Sequence, residues 1–262
     1  MIIDSHTHFG TMDKFNMPAK LLLKSMEKYK IDYSIVSNIE STEFTCELEP
    51  IPKKFPSRQL AANEKTLSLL KKYPDKLKGL FWICPNTETF DESIANFILE
   101  NSKDFVGFKI HPYHSNISIR DYRCEKYLEF AQEHKIPFVV HTASDEMSDV
   151  NHLYLTAKKY PAINFVMVHM GLGTDNKKAI DYIAQLDNLY GDTSWVSLES
   201  TLRAVEKCGS HKILFGTDSP IDGIDTYEKY LELIEGLRKK LPTKDFENLM
   251  FHNAIKLFKL EL

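Results

Sequence analysis

Short apolar runs alternate along this chain with longer stretches whose apolar residues recur every three or four positions, the signature of strands interleaved with amphipathic helices. The chain opens on an apolar strand carrying Asp4, His6 and His8, and the side-chain period of two puts both histidines on one face. Pro18 opens a helix on which Leu22, Met26 and Tyr29 share a face, and residues 33–37 form the next strand. Residues 38–57 are polar, contain Pro50, Pro52 and Pro56, and read as a long loop. A helix marked by Leu60, Leu67 and Leu70 leads to a strand at 77–84. Asp91 caps a helix bearing Ile94, Phe97 and Ile98, and a strand at 105–110 runs into His111 and Pro112. A helix through Tyr127, Leu128 and Ala131 precedes a strand at 137–141. The pattern continues as helix 150–160, strand 164–169, helix 179–186, a weaker strand 189–193, helix 198–208 and strand 213–218, closing with helical patterns at 227–237 and 246–258.

That gives eight strands, each separated from the next by one crossover. Single helical crossovers imply parallel pairing, and eight such units predict an α/β fold of the (β/α)8 TIM-barrel type, preferred over a doubly wound open sheet. A barrel of this kind uses roughly 250 residues, so the 262 residues are expected to form a single domain spanning 1–262.

Composition narrows the partners. The chain is 43% hydrophobic and 27% charged, as in an ordinary globular protein. A net charge of −4 and a pI near 6.2 provide no basic field for nucleic acid, which is not an expected partner. No run approaches the ~20 apolar residues of a membrane span, and no basic leader precedes the first strand, so a cytoplasmic protein without a membrane partner is expected. Cys46, Cys84, Cys124 and Cys208 are far apart and read as reduced, partly buried thiols. A homo-oligomer is compatible with the sequence.

The chemistry collects where polar residues end apolar strands. His6 and His8 end the first, Lys109 and His111 the fourth, His141 the fifth, His169 the sixth and Asp218 the last. C-terminal strand ends are where such a barrel builds its active site. Imidazole with carboxylate suits Zn²⁺, with Mn²⁺, Fe²⁺ or Ni²⁺ as alternatives, and the lack of cysteine argues against a structural zinc site. His6, His8, His141 and Asp218 would hold one divalent ion and leave a position for water, whose pKa the ion lowers toward ~7. Asp218 is the candidate general base, and His169 would polarise a substrate oxygen or bind a second ion. Lys109 binds a substrate carboxylate, pairs with an acid, or ligates metal if its amine is carboxylated; His111 is a substrate-contact candidate. His134, His152, His211 and His252 read as helix-end, packing or far-face residues, and His114 has no assigned role.

Together, His6-x-His8, Gly107-Phe-Lys-Ile-His-Pro112, Val140-His141, Val168-His-Met-Gly171, Phe215-Gly-Thr-Asp-Ser-Pro220 and Asn253-Ala254 resemble the amidohydrolase superfamily, specifically the amidohydrolase 2 group of metal-dependent TIM-barrel hydrolases and decarboxylases. The resemblance implies ligation by His6, His8, His141 and Asp218. It makes His169 either catalytic or a second-metal ligand, and places Lys109 where two-metal members carry their bridge. The expected activity is metal-dependent hydrolysis of a small amide, ester or lactone, with nonoxidative decarboxylation as the alternative. A metal-binding barrel without catalysis is disfavoured by the full ligand set, and a nuclease by the acidic chain. Selectivity is expected from loops 38–57 and 112–121 and from Trp195, while Arg58, Arg120 and Arg123 could hold a substrate carboxylate but read rather as solvated helix or loop residues.

Overall fold

The computed structural model describes residues 1–262. Nine strands form one curled sheet: β1 Ile3–Met12, β2 Phe15–Met17, β3 Tyr33–Asn38, β4 Leu77–Trp82, β5 Phe105–Ile110, β6 Phe138–Ala143, β7 Phe165–Leu172, β8 Leu189–Asp192 and β9 Ile213–Leu214. Their order is β2-β1-β3-β4-β5-β6-β7-β8-β9, all parallel except the β1–β2 pair. Strand order following chain order makes the sheet curl in one direction. Its two ends are drawn together beyond β9, where Ser5 N–H donates to the Phe215 carbonyl (2.9 Å), Asp218 N–H to that of His6 (2.9 Å) and His8 N–H to that of Ser219 (2.8 Å).

Eleven helices surround the sheet: α1 Ala19–Tyr29, α2 Arg58–Lys72, α3 Glu92–Glu100, α4 Pro112–Ser115, α5 Glu125–His134, α6 Val150–Lys159, α7 Lys177–Gln185, α8 Leu198–Cys208, α9 Leu231–Lys240, α10 Thr243–Glu247 and α11 Asn253–Phe258. Their starts follow the predicted chemistry. Pro18 caps α1, and the Asp91 carboxylate accepts the Ile94 N–H (3.1 Å) at the head of α3. Alternation along the strands splits the core in two. Phe81, Phe108, Phe138 and Phe165 join the helices in the larger cluster, while Ile3, Ile35, Leu80, Val139, Val166 and Leu214 fill the inside of the curl and are closed off by Leu257 and Phe258 of α11. Lys109 and His141 share the inward parity of this second set, which aims them at the interior.

The structure departs from the sequence reading in four places. The first strand runs on to Met12 and turns back as β2, a hairpin in a stretch to which the sequence pattern assigns no element. The last strand is two residues long, because the Phe215 amide bonds the Leu249 carbonyl and the Asp218 amide the His6 carbonyl instead of continuing the ladder with β8. The 227–237 pattern is a 3₁₀ turn over Gly223–Tyr230 followed by α9. The 246–258 pattern is interrupted by a wide turn at Asn248–His252, where the Leu249 carbonyl accepts the Phe215 N–H (2.9 Å). No helix is long and apolar enough to cross a membrane. All four cysteines are free; Cys84 and Cys124 are buried.

Candidate metal and active site

The candidate residues converge on the inside of the curl. His6 and His8 come from β1, Lys109 from the end of β5, His141 from β6, His169 from β7 and Asp218 from the segment after β9. A register shift in β1 between Asp4 and Thr7 offsets the simple alternation, yet both histidines point at the same carboxylate. His169 and Met170 adopt φ of +65° and +46°, and Asp218 has φ of +70°, values costly for non-glycine residues and concentrated here at the site.

Asp218 lies at the centre. Its Oδ1 is 2.9 Å from His8 Nε2 and 3.4 Å from His6 Nε2, and its Oδ2 accepts the Trp195 indole N–H (2.9 Å). Ligand-type atoms of His6, His169 and Asp218 lie within 4.8 Å of one another. His141 joins through His169, Nδ1 to Nε2 at 3.1 Å, and His8 Nδ1 rests against Ser37 Oγ (2.9 Å). Lys109, fully buried, places Nζ 3.0 Å from His6 Nε2, behind the cavity wall and not on its surface.

Burial sets the protonation of these groups. It holds His6 and His141 well below the ordinary imidazole range, helped by Lys109 beside His6 and by His169 beside His141, and it takes His169 down to about 4. It also pushes the Lys109 amine down to about 8, against the pull of Asp218 and Asp192. Burial alone would raise Asp218, but the His8 hydrogen bond and the neighbouring imidazoles outweigh it and hold the carboxyl well below its usual range. Neutral imidazoles beside an ionised carboxylate are the protonation states that a divalent ion needs, and a thiol-free donor set of N and O suits Zn²⁺ or Mn²⁺.

Above these groups lies a cavity of about 280 Å³. One wall stacks Trp82, His111 and His141, with ring planes 10° and 14° apart and His111 3.6 Å from His141. The other walls are Met12, Phe15 and Met17 of the hairpin, Ile39, Leu172, Trp195 and Ile221. Of the predicted selectivity loops, Ile39 and Thr42 represent 38–57 and His114 represents 112–121. His114, left unassigned by the sequence, also fixes the 38–57 loop, its Nδ1 lying 2.9 Å from the Phe44 carbonyl. None of the three arginines lines the cavity. Arg58 is not solvated: it is buried and donates to the Thr42 (2.8 Å) and Ile51 carbonyls, tying the loop together. Asp192 and Ser194 went unmarked in the weak strand at 189–193, although a carboxylate following Gly191 at a strand end was the available signal.

Residues 49–260 match the family described as Amidohydrolase, and the chain belongs to that family. The match begins after β1, so it is the fold that brings His6 and His8 to the matched part. Comparison with curated proteins finds no match. Among solved structures, the chain resembles 2,6-dihydroxybenzoate decarboxylase complexed with 2,6-dihydroxybenzoate (TM-score 0.74, 16% identity, 99% of each chain covered). It also resembles a probable 2-pyrone-4,6-dicarboxylic acid hydrolase from Acinetobacter baumannii with citric acid bound (TM-score 0.68, 14% identity, 99% of each chain). A third is a dihydroxybenzoic acid decarboxylase from Polaromonas with bound manganese and 2-nitroresorcinol (TM-score 0.69, 18% identity, 99% of this chain and 97% of that one). At these identities the likeness establishes a shared, TIM-barrel-like fold. With the family match, it makes the chain an enzyme of the amidohydrolase superfamily.

Proposed function

We propose that this chain is a metal-dependent hydrolase of a small, flat, largely apolar molecule bearing an amide, ester or lactone, carried on one domain, 1–262, whose sheet closes as a (β/α)8 barrel. The observation that carries the reading is the cluster of neutral imidazoles around the ionised Asp218 at the floor of an aromatic cavity. His6, His8, His141 and Asp218 would hold one divalent ion, Zn²⁺ or Mn²⁺. When bound, such an ion supplies Lewis acidity and activates water. Asp218 would take a proton at Oδ1, while Trp195 keeps Oδ2 in place. His169, held neutral by burial, would serve beside Asp218 through Nε2, the nitrogen that faces His141 Nδ1 at 3.1 Å. The Lys109 amine adds a cation beside His6 when protonated, and His111 offers a ring face to the substrate. The apolar walls and the lack of a lining arginine favour a substrate with at most one anionic group.

Nonoxidative decarboxylation of a flat aromatic acid is the second reading. The stacked Trp82, His111 and His141 rings give the cavity an aromatic wall for a planar substrate to lie against, and two of the similar structures are decarboxylases. Incubating Zn²⁺- and Mn²⁺-loaded protein with lactones, aryl esters, amides and hydroxybenzoic acids, while recording acid release and CO₂ separately, decides between them. Acid release without CO₂ supports hydrolysis; CO₂ from an aromatic acid with no hydrolysis reverses the assignment. Asp218→Asn should lose at least ~10³-fold in turnover while keeping part of its metal, whereas His6→Ala should lose the metal itself. An active Asp218→Asn enzyme overturns the role given to Asp218.

A further inference from the structure

Beneath the imidazoles lies a carboxylate that the proposed chemistry does not use. Asp192, fully buried at the end of β8, accepts three donors on Oδ1: His169 N–H (2.9 Å), Ser194 N–H (3.2 Å) and Ser194 Oγ–H (2.6 Å). Its Oδ2 has no standard hydrogen bond, and His6 Nδ1 stands 3.2 Å away. The space is closed by Gly216, where a Cβ would come within 3.0 Å of that oxygen and 3.1 Å of the His6 Cβ.

The pattern of donors and acceptors fixes the protons. Ser194 spends its hydroxyl proton on Asp192, so its oxygen lone pairs face His169 Nδ1 at 2.8 Å. The Ser194 carbonyl, which can only accept, lies 3.2 Å from the same nitrogen. A neutral His169 therefore carries its proton on Nδ1. Its bare Nε2 then accepts from His141 Nδ1 at 3.1 Å, which leaves His141 bare at Nε2. His6 Nδ1 also faces two acceptors, Asp192 Oδ2 and Ser194 Oγ, both at 3.2 Å. Its proton belongs there, and its bare Nε2 meets the Lys109 amine.

We propose that Asp192, acting with Ser194, is a positioning residue that holds His6 and His169, and through His169 also His141, as Nδ1–H tautomers, so that the Nε2 lone pairs of His6 and His141 are left bare for a divalent ion. The affinity part of this proposal rests on the metal-site reading above; the tautomer part does not. Outer hydrogen bonds of this kind are worth 10–100-fold in metal affinity elsewhere.

Asp192→Asn is the decisive variant because its amide can sit only one way. Three donors converge on the Oδ1 position, so the amide oxygen must stay there and the NH₂ must face His6 Nδ1. That NH₂ donates toward His6 Nδ1 and leaves Ser194 Oγ, at 3.2 Å, as the one acceptor there, so the His6 proton is expected to move to Nε2, into the cleft. Two measurements on the full chain test this. The first is the Zn²⁺ dissociation constant by chelator competition, expected to weaken roughly 10–100-fold in Asp192→Asn. The second is long-range ¹H–¹⁵N correlation of the histidine rings in metal-free protein, expected to show His6 switching from Nδ1–H to Nε2–H. Ser194→Ala, which keeps the Asp192 charge, should disturb the His169 ring signals and leave His6 as Nδ1–H. Unchanged melting of metal-free Asp192→Asn would show that the lost affinity is not lost folding. Zn²⁺ affinity within twofold of wild type, or an unmoved His6 tautomer, overturns the proposal. If wild-type protein binds neither Zn²⁺ nor Mn²⁺, the metal-site reading falls, and the ring signals alone still decide whether Asp192 sets the tautomers.

Discussion

Glu43 is a second buried carboxyl, outside the candidate site, and its partners account for only half of it. Oε1 accepts the Thr87 N–H (2.6 Å) and hydroxyl (2.8 Å), while Oε2 has no partner. Burial raises this carboxyl from 4.5 to about 7, more than the Thr87 hydrogen bonds and the nearby Ser115 hydroxyl can offset. A raised carboxyl pKa means that the folded chain binds the proton more tightly. The group therefore favours folding below 4.5, and that contribution is lost as the pH rises through about 7. Glu43→Gln keeps an acceptor for Thr87 and removes the buried charge. It should stabilise the protein by about 1–3 kcal/mol at pH 8 and change little at pH 4.5. Urea melts at both values check this, and equal effects at the two pH values would show that Glu43 is not ionised at a cost. Lys109 is the counterpart among cations: burial lowers its amine from 10.5 to about 8, so the charged form is the costly one, and that cost is full below about 8 and is relieved as the pH rises toward 10.5.

The β1–β2 hairpin supplies Met12, Phe15 and Met17 to the cavity, and its bend begins at Gly10. Gly10 has φ of +111°, and a Cβ there would stand 2.3 Å from Asn38 Oδ1. Gly10→Ala should therefore cost on the order of 2–4 kcal/mol, from strain plus displacement of Asn38, which holds the Ala62 carbonyl at 3.0 Å. A melting temperature within 2 °C of wild type, as a rough threshold for a chain of this size, would refute that. This hairpin also marks where the sequence stopped being legible. Strands such as Phe165-Val-Met-Val168 were readable because a parallel strand buried on both faces is a continuous apolar run. Three-residue β2 and two-residue β9 are too short to have a period, and the wide turn at Asn248–His252 depends, through Leu249, on a partner 34 residues earlier, Phe215. The site divides the same way. His6, His8, His141, His169 and Asp218 could be read because each interrupts or ends an apolar strand. His114, Asp192 and Ser194 matter through contacts with distant residues, which no local pattern encodes.

On the scale of the whole molecule, the candidate ligands straddle the place where the curled sheet meets itself. His6 and His8 stand on β1, Asp218 stands on the returning segment, and only a few backbone hydrogen bonds join the two across that seam. An ion held by both sides would cross-link residues about 210 positions apart in the chain, Ser5 and Phe215 being 210 apart. Because such an ion binds the folded form, its contribution grows with concentration, reaching ~2.7 kcal/mol at 100 times the dissociation constant. For a chain of this size that corresponds to a rise in melting temperature on the order of 5–10 °C. Chelator-treated protein should melt lower by that amount than protein in excess Zn²⁺ or Mn²⁺, and His6→Ala should lose the increment. The gain should also be local: the seam amides of Ser5, His8 and Asp218 should exchange with solvent more slowly once metal is added, while those of β4 and β5, far around the curl, should change least. A uniform slowing would mean that the ion stabilises the fold without acting through the seam, and no slowing at Ser5, His8 and Asp218 would mean that the two sides do not share it.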